Sequence, residues 1–317
     1  MAVVKRLVLA SPRGYCAGVE RAVETVEQAL ELHGGPVYVR KQIVHNAHVV
    51  RALEERGAVF VESENDVPHG ATVVFSAHGV APSVHENARA RSLRTIDATC
   101  PLVSKVHAEA RHYASRGYTI FFVGHAGHEE VEGTIGEAPA AIVLVQSVAD
   151  AEAVQPSQTE RLVYLTQTTL SVDDTRAIVL ALRTRFPALE APPKEDICYA
   201  TTNRQRAVKR MLSAIDLLLV IGSRNSSNSN RLVEVARAGG VEAHLIDDEG
   251  EIDEAWLDGV VTVGLTSGAS APESLVRRVV GWFRERGVSQ VEALDGVLED
   301  VFFQLPREVR AVASTRT

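Results

Sequence analysis

Cysteine is scarce in this 317-residue chain: Cys16, Cys100 and Cys198 are the full complement, an odd number with no C-x-x-C pair among them. A disulfide framework and a local zinc knuckle are both disfavoured by that count and spacing. Blocks of lysine or arginine are missing too, and 41 acidic against 33 basic residues leave a net charge of -8. A nucleic-acid binder needs a basic face to neutralise phosphates, so nucleic acid is excluded as a partner. No apolar run approaches the roughly 18 residues of a spanning helix, and the "LVLA" that follows Lys5 and Arg6 is too short for a secretory core. No membrane partner is expected, and the location expected is cytoplasmic, where thiols stay reduced. Neither G-x-G-x-x-G nor G-x-x-x-x-G-K-[ST] follows a strand-like run, so a nicotinamide or nucleoside triphosphate site has no support.

What is present is one pattern stated three times. Helical periodicity with glycine stops alternates with short β-branched runs after each cysteine. After Cys16 the order is helix "GVERAVETVEQALELHGG", strand "PVYVRKQIV", helix "NAHVVRALEERG", strands "AVFVES" and "ATVVFSA", and helix "PSVHENARARS". After Cys100 it recurs from "PLVSKVHAEARHYASRG" through "YTIFFVG", "EEVEGTIGEA", "AIVLVQS" and "RLVYLTQ" to "VDDTRAIVLALRTRF". After Cys198 it recurs from "TNRQRAVKRMLSAI" through "DLLLVIG", "NRLVEVARAGG", "VEAHLIDD" and "VVTVGLT" to "PESLVRRVVGWF". Cysteine to cysteine the repeat is 84 and then 98 residues, too long for a solenoid, so the fold class expected is α/β with three small domains in a pseudo-threefold arrangement. The expected division is a strand and cysteine loop at 1–17 packing with the third domain, then domains at 18–100, 101–196 and 197–287, and a tail at 288–317.

Polar residues fall into the same frame. His45 lies 29 residues after Cys16, His128 lies 28 after Cys100, and Ser226 lies 28 after Cys198. Later in each repeat a strand ends at His78, Thr168 or Ser270. All these loops follow a strand and precede a helix, the edge of a parallel α/β sheet where ligands collect. Three equivalent corners around a pseudo-threefold axis would bring the cysteines to one point, each thiolate favoured by a helix N-terminus, with Pro101 suited to the first helical position.

Three converging sulfurs leave one tetrahedral direction empty. Zinc would fill it with His45, His78, His128 or water. A [4Fe–4S] cube held by three cysteines would leave one iron open to a substrate oxygen. Ser226, Ser227, Asn228 and Ser270, with His45 and His78, form a set of donors without Lys or Arg, of the kind phosphate oxygens accept from. The run "SRNSSNSN" also reads as a helix N-cap loop. In "GHEEVEGT", Glu130 is placed to deliver a proton, with His128 as relay and Thr168 holding a substrate hydroxyl. Glu129, Glu130 and Glu132 read equally as first-turn residues of a helix, and spacing alone leaves that choice open. His33, His69, His85, His107, His112 and His244 read as structural partners.

The motifs "PRGYCAGVERA", "IVHN", "FSAHGV", "DATCPLVSKVH", "GHAGHEEVEGT", "TQTTLSVDDT", "DICYATTNRQ", "GSRNSSNSNRLVEVA" and "GLTSGASAPESLV" resemble, in order and over residues 5–310, the 4-hydroxy-3-methylbut-2-enyl diphosphate reductase family. The resemblance implies a cloverleaf of three α/β domains around a [4Fe–4S] cluster, with Cys16, Cys100 and Cys198 as its three ligands and one open iron. It implies that His45, His78, His128, Ser226, Ser227, Asn228 and Ser270 bind the substrate diphosphate, that Thr168 contacts the hydroxyl region, and that Glu130 is the proton source. The implied reaction is a reductive dehydroxylation yielding isopentenyl and dimethylallyl diphosphates, the last step of the methylerythritol phosphate route to isoprenoids, fed by ferredoxin or flavodoxin. Glu129 departs from the pattern, standing where many relatives carry proline. The tail "LDGVLEDVFFQLPREVR" implies a strand packed over the central cavity. A non-redox [4Fe–4S] lyase or dehydratase of quinolinate-synthase type is the alternative, but a dicarboxylate substrate usually calls for arginine at the site, and these loops offer mainly Ser, Thr, Asn and His. An iron–sulfur sensor would need a DNA-binding face or partner helix, and the acidic composition offers neither.

Overall fold

The computed structural model of the protein describes residues 4–310; the ends of the first and last expected segments, 1–3 and 311–317, lie outside the described residues. The chain opens with β1 (Arg6–Leu9) and α1 (Ala17–His33). There follow β2 (Val37–Arg40), α2 (Ala47–Glu55), β3 (Ala58–Val61), β4 (Thr72–Phe75), α3 (Pro82–Ala90) and β5 (Arg94–Asp97). The next stretch runs α4 (Pro101–Ser115), β6 (Thr119–Val123), α5 (Glu129–Glu137), β7 (Ile142–Val145), α6 (Val148–Ala153), β8 (Leu162–Thr166) and α7 (Val172–Arg185). The last holds α8 (Tyr199–Met211), β9 (Leu217–Ile221), α9 (Ser227–Ala238), β10 (Glu242–Ile246), β11 (Thr262–Ser267), α10 (Glu273–Glu285), β12 (Gln290–Ala293) and α11 (Arg307–Arg310).

The strands make three parallel sheets, ordered β3-β2-β4-β5, β7-β6-β8 and β10-β9-β11-β1-β12. The fold is α/β, as the alternation of periods requires. Strands such as "LLLVI" in β9 and "TIFFV" in β6 are buried at every position, the signature of a parallel sheet covered on both faces. Residues 4–19, His45–Arg51 and Tyr199–Phe302 form one compact unit, which holds the third sheet. Glu20–Val44, Ala52–Cys198 and residues 303–310 form a second, which holds the other two.

Each sheet repeats one topology: the first strand of the repeat is central, the second lies on one side of it and the third on the other. Connections leave the first and third strands in opposite directions, so a crevice opens between their carboxyl ends. A fourth strand flanks the third. It is β5 in the first sheet, in register from Thr72↔Arg94 to Phe75↔Asp97, and β1 in the third, from Arg6↔Thr262 to Leu9↔Leu265. In the middle sheet it shrinks to one parallel bridge, Val163↔Glu190.

Three differences from the sequence reading have local causes. Helix α6 was not expected because it is only six residues long, yet Ser147 caps it by accepting from Asp150 N at 3.1 Å, a short capping signature visible in "SVAD". The strand expected over "PVYVRKQIV" stops at Arg40, where Lys41 takes a positive φ of 55°. The tail contains no strand between 294 and 306; in the first unit Glu299 is held by Asn203 and Arg204, and in the second Gln304 accepts from Arg21.

The first sheet is tied to its helix by a buried carboxylate. Glu64 accepts from Arg40 Nε at 2.9 Å and from Asn87 Nδ2 at 2.8 Å. Burial raises its proton affinity, but the bonds from Asn87, its own backbone and Arg40 outweigh that and hold the carboxyl below its ordinary range. Glu64→Gln is expected to cost roughly 1–3 kcal/mol in urea unfolding at pH 7. Because the folded value is lowered, this contribution is complete above the unfolded value near 4.5 and fades as pH falls through the folded one, so the gap between variant and wild type should close in acid.

Candidate active site

The three cysteines occupy equivalent corners. Cys100 is the N-cap of α4 with Pro101 in its first turn, and Cys16 and Cys198 immediately precede α1 and α8. Each backbone N–H donates to a carbonyl in the loop after the third strand of a repeat: Cys100 to Ala77 at 2.9 Å, Cys198 to Thr168 at 3.0 Å, and Cys16 to Ala269 at 3.2 Å. Those loops carry His78, Thr168 and Ser270, so each corner is fastened to a crevice edge within its own unit.

In the second unit the first turn of α5 sends three carboxylates to different partners. Glu130 is buried, and its oxygens accept from Thr168 N at 2.6 Å and Thr168 Oγ1 at 3.0 Å. Burial pushes its carboxyl up to about 7, against the two Thr168 bonds, with the charge of Asp196 adding to the rise. Glu129 instead lies 3.3 Å from His78 Nδ1 and accepts from Ser76 Oγ, and Glu132 faces Lys41 at 3.7 Å. His128 caps α5, its Nδ1 accepting from Glu130 N at 3.2 Å, which leaves the ring proton on Nε2. Its ring meets His78 edge-on, centroids 5.8 Å apart. Burial pushes both imidazoles down to about 4, helped by Lys41 at His78 and by His78 at His128, while Glu129 opposes the shift at His128. Both rings are therefore neutral donors at pH 7.

In the first unit Ser229 at the start of α9 is wedged where β9 and β11 end: a Cβ on Gly222 or Gly268 would lie 2.1 or 2.0 Å from Ser229 Oγ. That close approach seats the N-terminus of α9 in the crevice of the sheet. Ser226 caps the helix through Ser229 N at 3.3 Å, and its Oγ lies 3.5 Å from that of Ser270. Ser270 Oγ donates to the carbonyl of His45 at 2.9 Å, and the His45 ring lies 3.3 Å from Asn225 Nδ2. Asn228 donates to Thr201 Oγ1 at 3.2 Å and accepts from Ala269 N at 2.9 Å, holding helix and loop together. Ser227 is the first residue of α9. His45, Ser226, Ser227, Asn228, Ser270 and Cys16 thus belong to the first unit, and His78, His128, Glu130, Thr168, Cys100 and Cys198 to the second.

A family model described as "LytB protein" matches residues 7–284. The chain belongs to the LytB family. Similar to this LytB chain is a protein of Acidothermus cellulolyticus named 4-hydroxy-3-methylbut-2-enyl diphosphate reductase, 61% identical over 313 residues, which are 98% of this chain and 92% of the relative. A protein of the same name from Mycolicibacterium paratuberculosis is 60% identical over 308 residues, 97% of this chain and 93% of its own. The solved structure of the E-1-hydroxy-2-methyl-but-2-enyl-4-diphosphate reductase from Plasmodium falciparum matches with a TM-score of 0.95 at 40% identity, covering 99% of both chains.

The donor set of the LytB chain suits an iron–sulfur group. Its three thiols are outside any disulfide, half-buried, and placed at helix N-termini, and soft sulfur ligands are what iron–sulfur groups take. Two groups escaped the sequence reading. Asn225 sits beside Ser226 in the serine/asparagine run and was passed over for its neighbours. Asp196 carried no signal, because its partner Lys105 is 91 residues away.

Proposed function

We propose that the chain reductively dehydroxylates 4-hydroxy-3-methylbut-2-enyl diphosphate to isopentenyl and dimethylallyl diphosphates, with a [4Fe–4S] cluster held by Cys16, Cys100 and Cys198. When bound, the cluster supplies electrons and, at the iron without a protein ligand, Lewis acidity. The balance is two electrons and two protons in, one C–O bond broken, and water released. Hydroxide leaves poorly, so protonation has to accompany cleavage. Glu130 holds a proton near neutral pH and delivers it to the departing oxygen, while Thr168 keeps the carboxyl in place from its backbone N–H and hydroxyl.

The observation that carries this reading is the double use of Thr168. Its N–H and Oγ1 hold Glu130, and its carbonyl accepts the N–H of Cys198. One residue thereby joins the proton source to a cysteine corner, the juxtaposition a proton-coupled reduction requires. The Ser226–Ser270 pair, the α9 N-terminus, His45 and the neutral His78 and His128 serve the diphosphate, whose binding energy fixes the reacting carbon and oxygen without reacting itself. A small acidic or flavin electron carrier, ferredoxin or flavodoxin, feeds the reaction. Three thiols outside any disulfide suit a cytoplasmic setting, and among the described residues no helix is long and apolar enough to cross a membrane.

Anaerobic turnover tests the reading. With reduced carrier the diphosphate substrate should yield both isoprenoid diphosphates, and without reductant the rate should fall to the blank. Turnover with no reducing equivalents would mark a non-redox lyase and overturn it.

A further inference from the structure

The three cysteine corners are not equally supported. The fourth strands β5 and β1 run beside β4 and β11 over full ladders shortly before Cys100 and Cys16. The Cys198 corner has only the Glu190 bridge, closed by Glu190 N–H to Leu162 O at 2.9 Å and Tyr164 N–H to Glu190 O at 3.2 Å. Residues 191–198 then carry no helix or strand. Leu189 and Ile197 pack into the core of the middle sheet at the ends of the segment, and an open groove of about 180 Å³ bounded by Tyr164, Thr166, Val179, Pro192, Asp196 and Ile197 lies against it.

An ion pair between a buried carboxylate and a partly exposed lysine stands there. The Asp196 side chain has 0% exposure; Oδ1 accepts from Lys105 Nζ at 2.6 Å and Oδ2 from Thr166 N at 2.8 Å. Lys105 Nζ also donates to the carbonyl of Lys194 at 2.7 Å and pairs with Glu109 at 3.2 Å. Lys105 lies in α4, the helix that Cys100 opens, and Thr166 ends β8, two residues before the Thr168 that accepts from Cys198. The pair therefore ties three things together: the helix behind Cys100, the strandless segment before Cys198, and the end of the strand that carries Thr168. A pair of this kind adds little net stability over apolar packing, but its geometry is specific and removing one partner strands a buried charge.

The geometry points to Lys105 and Asp196 as positioning residues that fix the Cys198 corner against the Cys100 helix, replacing the missing fourth strand of the middle sheet. Its value to catalysis rests on Cys100 and Cys198 being cluster ligands. The clamp itself does not depend on that reading.

Site-resolved alkylation of the full-length apoprotein by iodoacetamide, read by mass spectrometry, tests it. In Lys105→Met the Cys198 thiol should react about tenfold faster, as a lost charge-assisted contact loosens the segment locally, while Cys16 and Cys100 stay within about twofold of wild type. Asp196→Asn keeps an acceptor for Thr166 and should show the same selectivity, which covers the case of a poorly folding lysine variant. Lys105→Arg, with its own cation, should return Cys198 most of the way to the wild-type rate. Equal acceleration of all three thiols, or none, would overturn the clamp. Reconstituted Lys105→Met should also show altered EPR g-values for its reduced cluster, and unchanged values would remove the positioning role. Full iron loading of Cys198→Ser would instead defeat the cluster assignment while leaving the alkylation result standing.

Discussion

Glu130→Gln should lower turnover by about 100- to 10,000-fold at pH 7, the range a positioned general acid supplies, while substrate affinity and the brown cluster absorbance persist. The amide keeps the shape of the carboxyl and an oxygen to accept from Thr168, so what disappears is the transferable proton. The wild type should carry the matching pH signature. Its acid form is the active one, and with the carboxyl raised to about 7 the rate should fall as pH climbs through that value, approaching about tenfold per unit beyond it. Thr168→Val removes the Oγ1 bond, one of the two that favour the charged form, so the alkaline limb should move to higher pH. Unimpaired turnover in Glu130→Gln would take this residue out of the proton path and return the question to its neighbours Glu129 and Glu132.

Cys100→Ser should lose both the cluster and the activity. The corner itself would survive, because the N–H of residue 100 still donates to Ala77 O and Pro101 still opens the helix. A serine hydroxyl, however, stays protonated at pH 7 in a place where the helix N-terminus readily stabilises a thiolate. Iron per chain should drop steeply after anaerobic reconstitution, with circular dichroism near that of the wild type. A fully loaded, active serine variant would contradict the ligand assignment.

The repeat was legible because periodicity and side-chain chemistry carried the same message. Period-3.6 and buried β-branched runs alternate in all three parts, and the residues with chemical capability stand at matching distances from each cysteine. Parallel pairing gives those distances their meaning, since a fixed strand–loop–helix order delivers each of them to a carboxyl-terminal sheet edge. Sequence spacing could not separate Glu129, Glu130 and Glu132, because all three share the first turn of α5. Their difference comes from what packs against that turn: Thr168 takes Glu130, Ser76 and His78 take Glu129, and Lys41 faces Glu132. The uneven fourth strand was equally hidden. Pairing of β1 with β11 joins residues more than 250 positions apart, and the substitution of Lys105 and Asp196 for a ladder depends on a contact across 91 positions. The strand expected in the tail failed for a related reason, since the segment is held by side chains of Arg204, Asn203 and Arg21 rather than by a ladder.

The central claim is that three thiolates hold a four-iron cube with one iron left for substrate, and anaerobic Mössbauer spectroscopy of iron-57-reconstituted protein addresses it most directly. Four irons per chain, one of which alone changes its isomer shift when the diphosphate substrate is added, is the predicted result. Four irons that respond to substrate together or not at all would contradict it.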